Sequence, residues 1–240
     1  MSFKKYYFVV FFFFVAATSS FSQESSPPTA TINYKGAFEF GFQHSINLTT
    51  LVGKNNSYRI GNRIIEINPV GRRLTFDIGM FSHLYLSRKF SIDFEILYSY
   101  MGSPIEKKTT VLHDLGEISG SENCTYAFQY FKFPVILKAH PTEKFSVEFG
   151  GYIATLLAAN ERYRWESGTG YSRESLDGIS SYDAGIVAGV GFDMKILNLG
   201  FRYNYGLVNV FEEKGTLDLR NSVFQVVAQW KLYSDIKKQM

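Results

Sequence analysis

From Phe38 to the far end of the chain, apolar residues alternate with small or polar ones, and this two-residue period constrains the fold more than any other feature. Phe38, Phe40, Phe42 and Ile46 alternate with Glu39, Gly41, Gln43 and Ser45. The same period runs through residues 74–86, 90–100, 145–157, 184–194, 199–207 and 224–232. A helix would repeat every 3.6 residues, whereas a strand sends successive side chains to opposite faces. One further segment, 126–138, changes parity within itself. Its apolar residues are Tyr126, Phe128 and Tyr130, then Phe131, Phe133, Val135 and Leu137. One extra residue in a strand produces such a slip, so a β-bulge is expected near Tyr130–Phe131. Pro134, which cannot donate to a ladder, points the same way.

The two faces differ in chemistry. One carries large aromatic and aliphatic residues. The other carries glycines and an ionisable set: Glu39, Asp77, Asp93, Glu95, Lys132, Lys138, Glu148, Asp183, Asp193, Arg202 and Lys231. Large apolar groups suit contact with acyl chains, and small or charged groups suit the inside of a barrel. Eight strands leave an interior just filled by side chains. An unpaired charge there would be costly, so acids and bases are expected to pair and close the interior rather than line an ion path. The connections alternate in length. Residues 49–72, 102–124, 159–181 and 209–221 form long ones, while Ser87–Lys89, His140–Lys144 and Lys195–Asn198 are short. The expected fold is therefore all-β: an eight-stranded antiparallel transmembrane β-barrel with long external loops and short periplasmic turns. Tyr98, Tyr100, Tyr126, Tyr130, Tyr203 and Tyr205, near strand ends, suit an interfacial aromatic girdle. The main rival is a β-sandwich core, which alternates as well.

The first residues read as an address. Lys4 and Lys5 precede an apolar run, Tyr6 to Ala17, that is too short to span a bilayer as a helix. Ser20 and Ser22 place a signal-peptide cleavage between Ser22 and Gln23. The expected organisation is a signal peptide over 1–22, a polar linker over 23–33, a barrel over 34–232 and a C-terminal tail over 233–240. Cleavage removes two lysines and lowers the net charge from +3 to +1. A near-neutral chain offers no global electrostatic case for binding nucleic acid. The mean hydropathy of −0.08 excludes a bundle of membrane helices. Cys124 is the one cysteine, which excludes an internal disulfide and any multi-cysteine zinc site.

No constellation commits the chain to catalysis. His44, His83, His113 and His140 form no ligand-spaced pair, so no metal and no cofactor is expected. His83 points inward by parity and is the one histidine around which a hydrolytic site could be built. The basic residues concentrate in the first long connection, where Lys54, Arg59, Arg63, Arg72 and Arg73 face only Glu66. Arginine pairs well with phosphate, so outer-membrane lipid, including an anionic glycolipid, is the partner this patch would suit. In the third long connection, Tyr163, Trp165 and Tyr171 lie beside Arg162 and Arg164, a composition that resembles a binding tip.

The segment Phe131-Lys-Phe-Pro-Val-Ile-Leu-Lys138 resembles a strand of the Bacteroidota-type outer-membrane β-barrel domain, often labelled porin family. Phe149-Gly-Gly-Tyr152, Tyr182-Asp-Ala-Gly-Ile-Val-Ala-Gly-Val-Gly-Phe192 and Phe201-Arg-Tyr-Asn-Tyr-Gly-Leu207 are similar to its later strands. The resemblance covers residues 34–232 and implies an eight-stranded barrel in the outer membrane. It implies a non-enzymatic role in surface interaction, envelope integrity or limited solute passage. Some barrels of this kind serve type IX secretion, so an accessory role in a secretion or transport complex is the second expectation, and a barrel-embedded hydrolase the third.

Overall fold

In the computed structural model, residues 32–33, 36–113, 116–164, 171–212 and 217–238 are described. The expected signal peptide, all of the linker but its last two residues, and Trp165 lie outside them, as do the side chains of His113, Arg164 and Tyr171.

The alternating segments become strands, and Asn33–Lys237 make up one compact unit. In chain order the strands of its main sheet are β1 (Phe38–Asn55), β2 (Ser57–Ile60), β3 (Arg63–Pro69), β4 (Arg73–Tyr85), β5 (Phe90–His113) and β6 (Gly116–Ala139). Then follow β7 (Phe145–Arg164), β8 (Tyr171–Ser175), β9 (Tyr182–Asp193), β10 (Leu197–Gly206) and β11 (Asp218–Ser234). Every pairing in this sheet is antiparallel. β1 pairs with β4, β4 with β5, β5 with β6, β6 with β7, β7 with β9, β9 with β10, β10 with β11, and β11 with β1. The succession of these eight long strands thus returns to its start.

Among the described residues, eleven strands, not eight, build the sheet. The three additional ones are short and lie where connections were expected. β2 and β3 form a hairpin that continues the ladder along the upper part of β5, and β8 pairs with the end of β7. The hairpin turns at Gly61, whose φ of 60° lies in the left-handed region that favours glycine. Residues 102–124, expected as a loop, extend the β5–β6 ladder up to His113↔Gly116. The period-two signal fades there for a physical reason. Where both faces of a hairpin meet water, neither face selects apolar residues, and Glu106-Lys-Lys-Thr-Thr110 pairs as strand without alternating.

The three short connections are turns. At one, the Ser87 hydroxyl accepts hydrogen bonds from the backbone N–H of Lys89 and Phe90; at the next, Thr142 Oγ1 accepts one from Phe145 N–H. Such side-chain acceptors end one strand and start the next without a helix.

Parity sorts the side chains. Phe42, Ile46, Leu74, Phe76, Ile78, Phe94, Ile96, Phe149, Ile153, Phe201, Phe224 and Trp230 are exposed on the outer face. Glu39, Gln43, Asn47, Asp77, Asp93, Glu95, Ser99, Glu148, Arg202, Gln225 and Gln229 are buried on the inner face. A water-soluble fold would bury the first set and expose the second.

The expected bulge at Tyr130–Phe131 is absent. Apart from Ala127, the buried residues of β6 keep even parity from 124 to 138 without a slip: 124, 126, 128, 130, 132, 134, 136 and 138. The irregularity lies on the neighbouring strand: Gln129 pairs with Ala158 and Tyr130 with Leu156, which leaves Leu157 as the extra residue in β7. What changes within β6 is the chemistry of the interior. Tyr126, Phe128 and Tyr130 point inward and pack with Leu51, Ile67, Met101, Ile105, Phe211 and Leu219 in an apolar cluster. Tyr126 and Tyr130, at 1% exposure, are therefore core residues and not part of a girdle, whereas Tyr98, Tyr100, Tyr203 and Tyr205 are half-buried.

Candidate functional site

Below that apolar cluster the inner face is polar. Its centre is Arg202 on β10. The guanidinium donates to Glu148 Oε2 at 2.5 Å on β7 and to Glu95 Oε1 at 2.7 Å on β5, with Asp93 at 3.9 Å. β10 and β5 are four steps apart in the succession of paired strands, whichever way it is counted. One side chain thus reaches across the inner face. Lys138 on β6 binds Asp93 at 2.8 Å and Glu148 at 3.1 Å, and donates to Gln229 on β11 at 3.4 Å, again four strands away. His83 is bonded to Asp93. Gln43 donates to Glu95 Oε2 at 2.9 Å, and Gln229 Nε2 to Glu95 Oε1 at 3.1 Å. Charges so deeply buried are tolerated only when paired and hydrogen-bonded, which here they are.

Other members of the ionisable set are held differently. Asp77 accepts hydrogen bonds from Asn47 at 2.7 Å, Ser99 at 2.7 Å and Gln225 at 2.6 Å. Asp183 accepts from Tyr152 Oη at 3.1 Å and Asn221 at 2.9 Å. Lys132 lies over the Tyr152 ring, 4.3 Å from its centroid. Lys231 pairs with Glu39 at 3.0 Å. Asp193 faces His140 at 3.5 Å, and the other side of that ring, Nε2, lies 2.7 Å from Ser91 Oγ. Sequence reasoning named the charges but missed the amides, Gln43, Asn47, Gln225 and Gln229, that join them. Their parity was the available signal.

The basic residues of the first long connection stand on different elements. Arg59 and Arg63 are exposed on the β2–β3 hairpin, where Arg59 Nε donates to the Gly61 carbonyl at 2.9 Å. Lys54 is exposed near the end of β1. Arg72 lies over the Phe224 ring at 4.6 Å, and Arg73 over Tyr100 at 4.9 Å. Arg162 of β7, from a different connection, lies 5.8 Å from the same Tyr100 ring. Arg72, Arg73 and Arg162 together line a cleft of about 920 Å³. His44 is in the middle of β1 on the exposed face, stacked against Trp230. No group of three or more His, Cys, Asp or Glu side chains able to hold a metal occurs among the described residues.

The family model described as outer membrane protein beta-barrel domain matches residues 21–212. The chain belongs to the outer membrane protein β-barrel domain family. It is accordingly an outer-membrane protein built mostly of antiparallel sheet. The match stops short of β11, the strand that pairs β10 to β1. No curated protein matches. Among solved structures, the chain is similar to Ail, the attachment invasion locus protein of Yersinia pestis, in complex with the heparin analogue sucrose octasulfate. That match has 9% identity and a TM-score of 0.40, covering 82% of this chain and 99% of that one. Neisserial surface protein A matches at 12% identity and a TM-score of 0.38, over 80% and 97% of the two chains. AlkL, solved by solid-state NMR in lipid bilayers, matches at 14% identity and a TM-score of 0.41, over 88% and 96%.

Proposed function

We propose that this family member is a closed, eight-stranded transmembrane barrel with a plugged interior, and that it serves surface interaction and envelope integrity through its long hairpins rather than chemistry or bulk transport. The observation that carries this reading is the contact made across the inner face by Arg202, at 2.7 Å from Glu95. Side chains that touch across an interior leave no water-filled column between them. The apolar cluster around Phe128 and Tyr130 blocks the same path nearer the long-connection end. The exposed apolar face meets lipid, and β2, β3 and the upper halves of β5 and β6 extend beyond it as a paired surface.

A hydrolase is less well supported. Ser91 Oγ lies 2.7 Å from His140, but Asp193 stands 3.5 Å from the other side of that ring with no hydrogen bond between them, and Ser91 is fully buried, so a substrate has no access to its hydroxyl. Single-channel recording in a planar bilayer tests the plugged barrel. The expected record is a silent bilayer despite full insertion, judged by heat-modifiable gel migration. Stable conductance steps from the purified, inserted chain would overturn the plug, and a mature chain that stayed soluble after export would overturn the barrel.

A further inference from the structure

The cleft under Arg72, Arg73 and Arg162 is lined from four places in the sequence, 70–74, 104–105, 123–125 and 162, and includes none of the plug's charged residues. Its cationic walls come from the start of β4 and the end of β7, and its apolar walls from Val70, Leu74 and Pro104. None of the residues lining it is acidic. Arg72, Arg73 and Arg162 form no ion pair among the described residues. Glu161, the carboxylate next to Arg162 in sequence, is occupied by Lys107 at 3.4 Å. Arg73 Nη2 donates to Tyr100 Oη at 3.0 Å, while Nη1 is shielded from solvent and has no partner among the described residues. A buried guanidinium donor without an acceptor is costly, and an incoming anion would remove that cost.

Position supplies the identity of the anion. Leu74 and Phe76 are the first exposed apolar residues of β4, and Phe224, under Arg72, is exposed as well. The three guanidiniums therefore sit on the rim of the exposed apolar face. They sit at its long-connection end, away from the short turns. If that face meets lipid, as proposed above, this rim is the level of the outer-leaflet headgroups. Arginine there keeps its stem on apolar surface and its head among phosphates. Leu74 and Val70, 68% and 54% exposed, provide a place for acyl chain beside the charged head.

We propose that Arg72, Arg73 and Arg162 form a binding site for the phosphate of an outer-leaflet glycolipid, with Tyr100 holding two of the three guanidiniums in place. The inference rests on the membrane reading above and adds the ligand class and the residues. Forked guanidinium donors match phosphate oxygens in pairs, and Lys54, Arg59 and Arg63, exposed on other elements, line no such cleft.

The test uses the full chain folded in zwitterionic phosphocholine micelles, with folding checked by heat-modifiable migration. The probe is a doubly phosphorylated, acylated glucosamine disaccharide, and retained lipid is counted by native mass spectrometry. One retained lipid is expected, with apparent affinity weakened at least about tenfold in Arg72→Gln/Arg73→Gln/Arg162→Gln. Lys54→Gln/Arg59→Gln/Arg63→Gln, which removes the same charge nearby, should bind as the parent does, and the dephosphorylated lipid should not be retained. Equal loss in both triple variants would reduce the effect to bulk charge and overturn the site. Displacement of the lipid by equimolar inorganic phosphate would assign the cleft to a soluble anion and overturn the lipid. Should the first triple variant fail to fold, Arg72→Gln and Arg162→Gln singly carry the same expectation, because neither side chain is fully buried. Failure of the membrane reading itself is distinguishable, since it would appear earlier as the absence of a heat-modifiable band.

Discussion

Replacing Arg202 by Met is the most direct probe of the interior. The guanidinium holds Glu148 at 2.5 Å and Glu95 at 2.7 Å and faces Asp93 at 3.9 Å. Met retains much of the stem's volume, so the change is mainly one of charge. Breaking a buried ion pair from one side costs about 3–5 kcal/mol, because the partner charge stays behind. Two features place this case at the lower end. Lys138 still binds Asp93 at 2.8 Å and Glu148 at 3.1 Å, and Glu95 keeps its amide donors Gln43 and Gln229. The expected loss is about 3 kcal/mol, or roughly 1 M in the urea midpoint for a slope of about 3 kcal/mol per M. The assay is urea unfolding in micelles, with the folded fraction read from gel migration. Glu95→Gln added to Arg202→Met should recover part of the loss by removing the stranded charge. A midpoint unchanged by Arg202→Met, or a second substitution that simply adds its own cost, would refute the argument that these charges hold one another in place.

Three other outcomes are expected. Phe149→Arg, on the outer face at 61% exposure, should destabilise the inserted chain by about 2–4 kcal/mol if it lies near the bilayer centre, measured by the same unfolding assay in lipid. Phe128→Ala should cost about 3–5 kcal/mol despite lying outside the charged cluster, because its ring is fully buried among aromatics. Gly41→Ala should reduce folding yield, since a Cβ there would lie 1.8 Å from the Trp230 carbonyl oxygen and would force β1 and β11 apart.

Much of the fold was legible because strand parity is a local property. Phe42 against Gln43, or Phe149 against Glu148, sorts itself wherever one face selects apolar groups and the other does not. Legibility failed in two places, each for a physical reason. Beyond the apolar face most residues of the hairpins are exposed or half-buried on both sides, and only a few such as Ile67 and Ile105 reach the interior, so residues 57–69 and 102–124 read as loops although they pair as strands. In β6 the assumption that apolar residues face outward produced a bulge that does not exist, because the upper interior is itself apolar. Tyr126, Phe128 and Tyr130 share parity with Lys132 and Lys138, and that shared parity was the correct signal.

The sequence by itself determined the two-faced strands, the short turns and the list of ionisable residues on one parity, since each depends on neighbours within a few positions. Only the tertiary structure decided which of those residues meet. Arg202 and Glu95 are far apart along the chain and four strands apart in the sheet, yet they bond because the strand succession returns on itself. The side-by-side pairing of β4, β5, β6 and β7 brings Arg162 to Tyr100 and Arg73, three residues from three segments whose proximity no spacing in the sequence encodes. Register and curvature are collective properties of all the paired strands, and they set these contacts.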